Sequence, residues 1–111
     1  MNWLDQIESE LNRGREAERI GNEGRARTAA RRAVGIAVTE YQQDPRGGRW
    51  YGRDVMRQLK GIAEDQSLPV DVRKAATRLQ TRISQDFLSP SRQPLADALV
   101  IINFIRRELT S

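Results

Sequence analysis

The chain reads as an all-α protein, an up-and-down bundle of four to five helices forming a single domain over residues 1–111. Three observations predict this. Apolar residues recur at intervals of three and four in five separate stretches, which places them on one side of a helix. No stretch alternates with period two over a useful length, so strands are not expected. Proline, glycine and asparagine fall between the periodic stretches as breaks.

Asn2 is placed to cap a first helix, with Trp3, Ile7, Leu11 and Ile20 as its stripe before the Gly21-Asn22 break. Asn22 caps a second helix running to about Gln42. Its inner face is small: Ala26, Ala29, Ala30, Ala33, Val34 and Ala37, ending in Tyr41. Such residues form a buried seam that lets a neighbouring backbone come near. Gly35 within it costs about 1 kcal/mol relative to alanine, which a close helix crossing would offset. Asp44 to Gly52 is the clearest loop, with Pro45 and three glycines.

A third helix covers about Arg53 to Asp65, with Met56, Leu59, Ile62 and Ala63 on its apolar side. Pro69 is suited to the first position of a fourth helix carrying Val72, Ala75, Ala76, Leu79 and Ile83. A second loop runs from Ser89 to Pro94. The last helix, Leu95 to Leu109, is apolar over much of its circumference, as a central helix or one that also meets a second chain would be.

Composition excludes much chemistry. Within these 111 residues there is no cysteine and no histidine. Thiol nucleophiles, disulfides, zinc–thiolate sites, imidazole bases and histidine-ligated metals are therefore absent, and no cofactor is expected. Carboxylates such as Glu8 and Glu10 lack the Glu-x-x-His companions of a di-iron bundle and read as a solvated face. Gly47-Gly48 lacks the GxxxxGK[ST] spacing of a phosphate loop.

Seventeen of the nineteen basic residues are arginine, and the charge is uneven. Up to Pro45 there are seven basic and eight acidic residues, a net −1; from Arg46 onward twelve and seven, a net +5. A basic half favours an anionic partner, although +4 over the chain is modest for a nucleic-acid binder. The longest apolar run, Ala98 to Ile102, is too short to span a bilayer, so a cytoplasmic protein with no membrane partner is expected.

Arg46, Arg49, Arg53 and Arg57 lie around Trp50 and Tyr51. Charge with interleaved rings on a glycine-rich loop suits single-stranded nucleic acid; alternatively both rings fold back over the bundle end and the arginines stay hydrated. Arg82 and Asp86, four apart, pair on one helix face either as an ordinary structural ion pair or as part of a groove where Arg82 grips a phosphate or carboxylate. Arg25, Arg31 and Arg32 flank the alanine seam and are placed to line such a groove, or to cover apolar edges with their stems.

The order of elements resembles the HEPN domain, a small helical bundle. The match lies in the alanine-rich stretch from Gly24 to Ala33, in Arg82, Asp86 and Phe87 near the end of the helix pair, and in the leucine- and isoleucine-rich closing helix. The ribonuclease branch of that family carries a catalytic histidine separated from the arginine by four to six residues. Phe87, Leu88 and Ser89 occupy that window here, so the dyad cannot form. The resemblance therefore implies the non-catalytic branch: a homodimeric binding or assembly module for a protein partner, such as a nucleotidyltransferase, or an anionic nucleotide-like ligand. Arg82, Asp86 and Arg31 are its candidate binding residues. A nucleic-acid binder using Arg46 to Arg57 is the alternative.

Overall fold

The computed structural model describes residues 2–47, 49–80 and 93–110. Five helices account for most of them: α1 (Trp3–Arg19), α2 (Glu23–Gln43), α3 (Val55–Glu64), α4 (Val70–Gln80) and α5 (Pro94–Thr110). There is no strand among the described residues.

Local chemistry sets the helix ends. Asn2 and Asn22 do cap α1 and α2, their Oδ1 atoms accepting from the backbone N–H of Asp5 and Arg25 at 2.9 and 3.0 Å. Between these helices Gly21 takes a left-handed φ of 80°. The N–H groups of Gly21 and Asn22 then close back onto the carbonyls of Glu18 and Ala17, the paired bonds of a Schellman turn. Ile20 sits on this turn and is 55% exposed, so it does not extend the apolar stripe of α1. Gly14 and Ala17, both buried, continue that stripe instead.

The third helix is shorter than its apolar pattern suggests. Asp54 is extended and accepts from the Arg57 N–H, which starts the helix after Arg53. Asp65 leaves it at the other end, its Oδ1 accepting from the N–H and hydroxyl of Ser67. Pro69 stands just before α4 and offers its carbonyl to Arg73, while Pro94 is the first residue of α5.

The alanine seam is buried as expected: Ala30, Ala33, Val34 and Ala37 are wholly inaccessible. α2 packs on α1 along one side and on α5 along another, and α5 also packs on α4, which pairs with α3. The last helix is thus central, joining both helix pairs in one core. Tyr41 of α2 meets Phe104 of α5 edge to face, with ring centroids 6.2 Å apart. The radius of gyration, 13.3 Å, is that of a compact chain of this length.

The close approach expected at Gly35 occurs elsewhere. A methyl group on Gly35 would touch Val55 at 3.4 Å, an ordinary contact, whereas one on Gly14 would lie 2.5 Å from Leu95 and 3.3 Å from Ala29. A side chain at 14 would have to displace the end of Leu95 and press on Ala29, whereas one at 35 would displace nothing. No helix among the described residues is long and apolar enough to cross a membrane.

Candidate binding grooves

Gly14, Ala17 and Ala29 make the meeting of α1 and α2 narrow in side chains while long polar residues rise on both sides. The result is a cleft of about 1170 Å³ floored by Ala17 and Ala29. Its charges are unevenly matched. Arg13 donates to Glu10 at 3.3 Å, Arg15 to Glu8 at 3.1 Å, and Arg19 to Glu16, so α1 pairs its own arginines. Arg25 and Arg32 on α2 line the cleft, are exposed, and have no ion-pair partner among the described residues. Seven residues apart, they stand about 10 Å from each other along the helix. Ser9, Asn12 and Thr28 add neutral hydrogen-bonding groups to the same walls.

A second groove, about 490 Å³, continues from the first through Glu10 and Arg32 to the start of α3, where Gly35, Thr39, Glu40, Arg53 and Gln58 line it. Gln58 is 1% exposed. Its Nε2 donates to the Gly52 carbonyl at 3.1 Å and to the Thr39 hydroxyl at 3.3 Å, which fixes the amide's orientation. Its Oε1, like the Oε2 of Glu10, is buried and accepts no hydrogen bond from the described residues. A buried acceptor left this way costs about 1–3 kcal/mol, so each needs a reason.

The loop residues part into two groups. Tyr51 turns inward: its hydroxyl donates to Asp65 Oδ2 at 2.6 Å, its N–H to Gln42 Oε1 at 3.1 Å, and its ring lies over Gly61. Burial and the adjacent Asp65 carboxylate push its phenol pKa up, while bonds from Ser67 and Tyr51 hold Asp65 below the usual carboxylate range. Arg46 folds onto Asp44, with its Nε and Nη2 at 3.0 Å, and holds that carboxyl at about 2. Arg57 pairs with Asp54 at 3.5 Å. Trp50 instead stays 60% exposed, and neither Arg49 nor Arg53 has an ion-pair partner among the described residues. Of the six residues singled out in this region, Arg49, Trp50 and Arg53 are exposed, and the charge of Arg49 also helps to hold Asp65 ionised.

Arg31 is half-buried and its Nε donates to the Leu79 carbonyl at 2.8 Å, tying α2 to the last described turn of α4. Arg82 and Asp86 lie outside the described residues, as does Ile83. Glu10 and Gln58 were missed as site residues, and Glu10 was expected on a solvated face. A signal for both exists in the sequence: Ile7, Glu10, Leu11 and Gly14, and Val55, Gln58, Leu59 and Ile62, each place a polar residue in an apolar stripe. The pair of a half-exposed Arg78 and a buried Asp97 was also missed. Arg78 reaches both carboxylate oxygens at 2.7–3.1 Å across α4 and α5.

Among the described residues no cluster of three acidic or other metal-binding side chains is present. Comparison with protein-family models, with curated proteins and with solved structures finds no match to this chain.

Proposed function

We propose that the chain is a binding module rather than an enzyme, and that its ligand is anionic and sits in the cleft between α1 and α2. One observation carries this: Arg25 and Arg32 line the cleft between α1 and α2 with no carboxylate partner among the described residues, beside a helix that neutralises its own cations. Guanidinium groups placed so bind phosphate or carboxylate in two-pronged fashion. The absence of thiols and imidazoles within these residues agrees with binding rather than turnover. The helix order and the small-residue second helix support a HEPN-like bundle lacking the ribonuclease dyad. The dimeric state and protein partner implied by that resemblance belong to the same proposal.

A second reading, nucleic-acid binding through the loop before α3, is favoured by the exposure of Trp50 between Arg49 and Arg53. An indole left in water beside two exposed cations is a stacking platform. One experiment separates the two. Tripolyphosphate and a labelled single-stranded RNA are titrated at several salt concentrations against the native chain, Arg25→Ala/Arg32→Ala and Trp50→Ala. The cleft reading expects the double variant to lose at least tenfold in tripolyphosphate affinity while Trp50→Ala is unaffected. Tripolyphosphate that fails to bind at low salt sinks it. RNA binding that falls with Trp50→Ala alone replaces it with the second reading.

A further inference from the structure

We infer that the groove where α1, α2 and α3 meet is a site for a small zwitterion, with an ammonium or guanidinium group seated on Glu10 and Gln58 and a carboxylate held at the rim by Arg32 and Arg53. The inference goes beyond the anion cleft, with which it shares Arg32 and Glu10, since it uses neither Arg25 nor that cleft's floor.

Four observations converge on it. Both Glu10 and Gln58 occupy positions where the helical period calls for an apolar side chain, and both line this groove. Each leaves one buried oxygen without a donor, so what is missing is N–H or O–H, not another acceptor. Glu40 and the Thr39 hydroxyl line the same groove, which adds a second carboxylate. The two cations, Arg32 and Arg53, are exposed, whereas Gln58 is buried and Glu10 nearly so. Acceptors therefore lie deep and cations outside. A simple cation would be repelled at the rim and a simple anion at the floor; a molecule bearing both charges satisfies each.

Gly35 supplies the space. Its place in the middle of α2 is unfavourable for a helix, and packing does not demand it, because a Cβ there would meet only ordinary contacts. That Cβ would, however, stand 3.8 Å from Gln58 Oε1, the oxygen that lacks a donor among the described residues. Glycine at this position leaves the groove open beside that buried acceptor at the expense of helix stability, the trade expected where function and stability pull apart.

The test is titration calorimetry with three probes: L-arginine, agmatine, which has the same guanidinium but no carboxylate, and glutarate, which has carboxylates but no cationic donor. L-arginine is expected to bind at least tenfold more tightly than either. Gln58→Met removes the acceptor but leaves the Gly52 carbonyl its bond from Gln42, and is expected to weaken L-arginine at least tenfold. Gly35→Ala is expected to weaken it similarly while raising the melting temperature, which separates a blocked site from a damaged fold. Arg53→Ala should narrow the gap between L-arginine and agmatine. No binding of L-arginine at millimolar concentration overturns the inference, as does binding indifferent to Gln58→Met and Gly35→Ala. Glutarate binding as tightly as L-arginine overturns it too, and reassigns the groove to anions.

Discussion

Trp50 and Tyr51 are neighbours with opposite fates, and the difference is one hydroxyl. A buried tyrosine needs a partner for its O–H, and Asp65, leaving the end of α3, provides a carboxylate at 2.6 Å. Trp50 stays outside. The Tyr51–Asp65 bond should therefore hold the loop to the bundle, and Tyr51→Phe should cost about 1–2 kcal/mol, a hydrogen bond to a charged group partly replaced by the bonds from Ser67. The pH dependence has two limbs. Asp65, depressed in the folded state, contributes stability above the ordinary carboxylate range that is lost as pH falls through about 4. Tyr51, raised in the folded state, contributes stability below about pH 10 that is lost as pH climbs beyond it. Urea midpoints of native chain and Tyr51→Phe, measured from pH 3 to 11, should differ most in the middle of that range. A constant difference would mean the hydroxyl acts without the carboxylate.

At the scale of elements, the turn between α1 and α2 depends on conformation alone. Nothing lies within 4 Å of where a side chain on Gly21 would begin, yet its φ is 80°. Gly21→Ala should thus cost about 1 kcal/mol through backbone strain, and Gly21→Asn should recover part of it, as thermal unfolding of the pair would show. Equal melting temperatures for the native chain and Gly21→Ala would mean that the turn re-forms in another geometry. Much at this scale was legible in the sequence. Asn2 and Asn22 announce their helices, and alanines at spacings of three and four announce the seam, because capping and periodicity are local properties. Gly35 was misread and Gly14 passed over for the opposite reason: which glycine a neighbour presses on depends on partners distant along the chain. The candidate site suffered similarly. Arginine-rich composition drew attention to Arg46 and Arg57, but each has a carboxylate two or three residues away that engages it. Glu10 and Gln58 belong to a groove only because three helices converge.

Across the whole molecule, two helix pairs are joined through α5, and Arg78–Asp97 is the polar clasp between its first turn and α4. Asp97 is 7% exposed and receives three hydrogen bonds from one guanidinium. Removing the cation leaves a buried carboxylate, so Arg78→Met should cost about 2 kcal/mol. Arg78→Lys should recover little of this, lacking the planar fork. Chemical denaturation should show a lower midpoint with an unchanged slope; an unchanged midpoint would mean the clasp adds nothing beyond the apolar contacts.

The alanine seam of α2 has a consequence for biosynthesis. Its cover, residues 94–110, is made well after it, so one flank of α2 must wait in water while the intervening residues are translated. Methyl groups spread along a helix present far less adhesive area than the leucines and isoleucines that eventually cap them. The larger apolar side chains that cover this flank, Ile101, Ile102 and Ile105 among them, emerge only when their destination is already built.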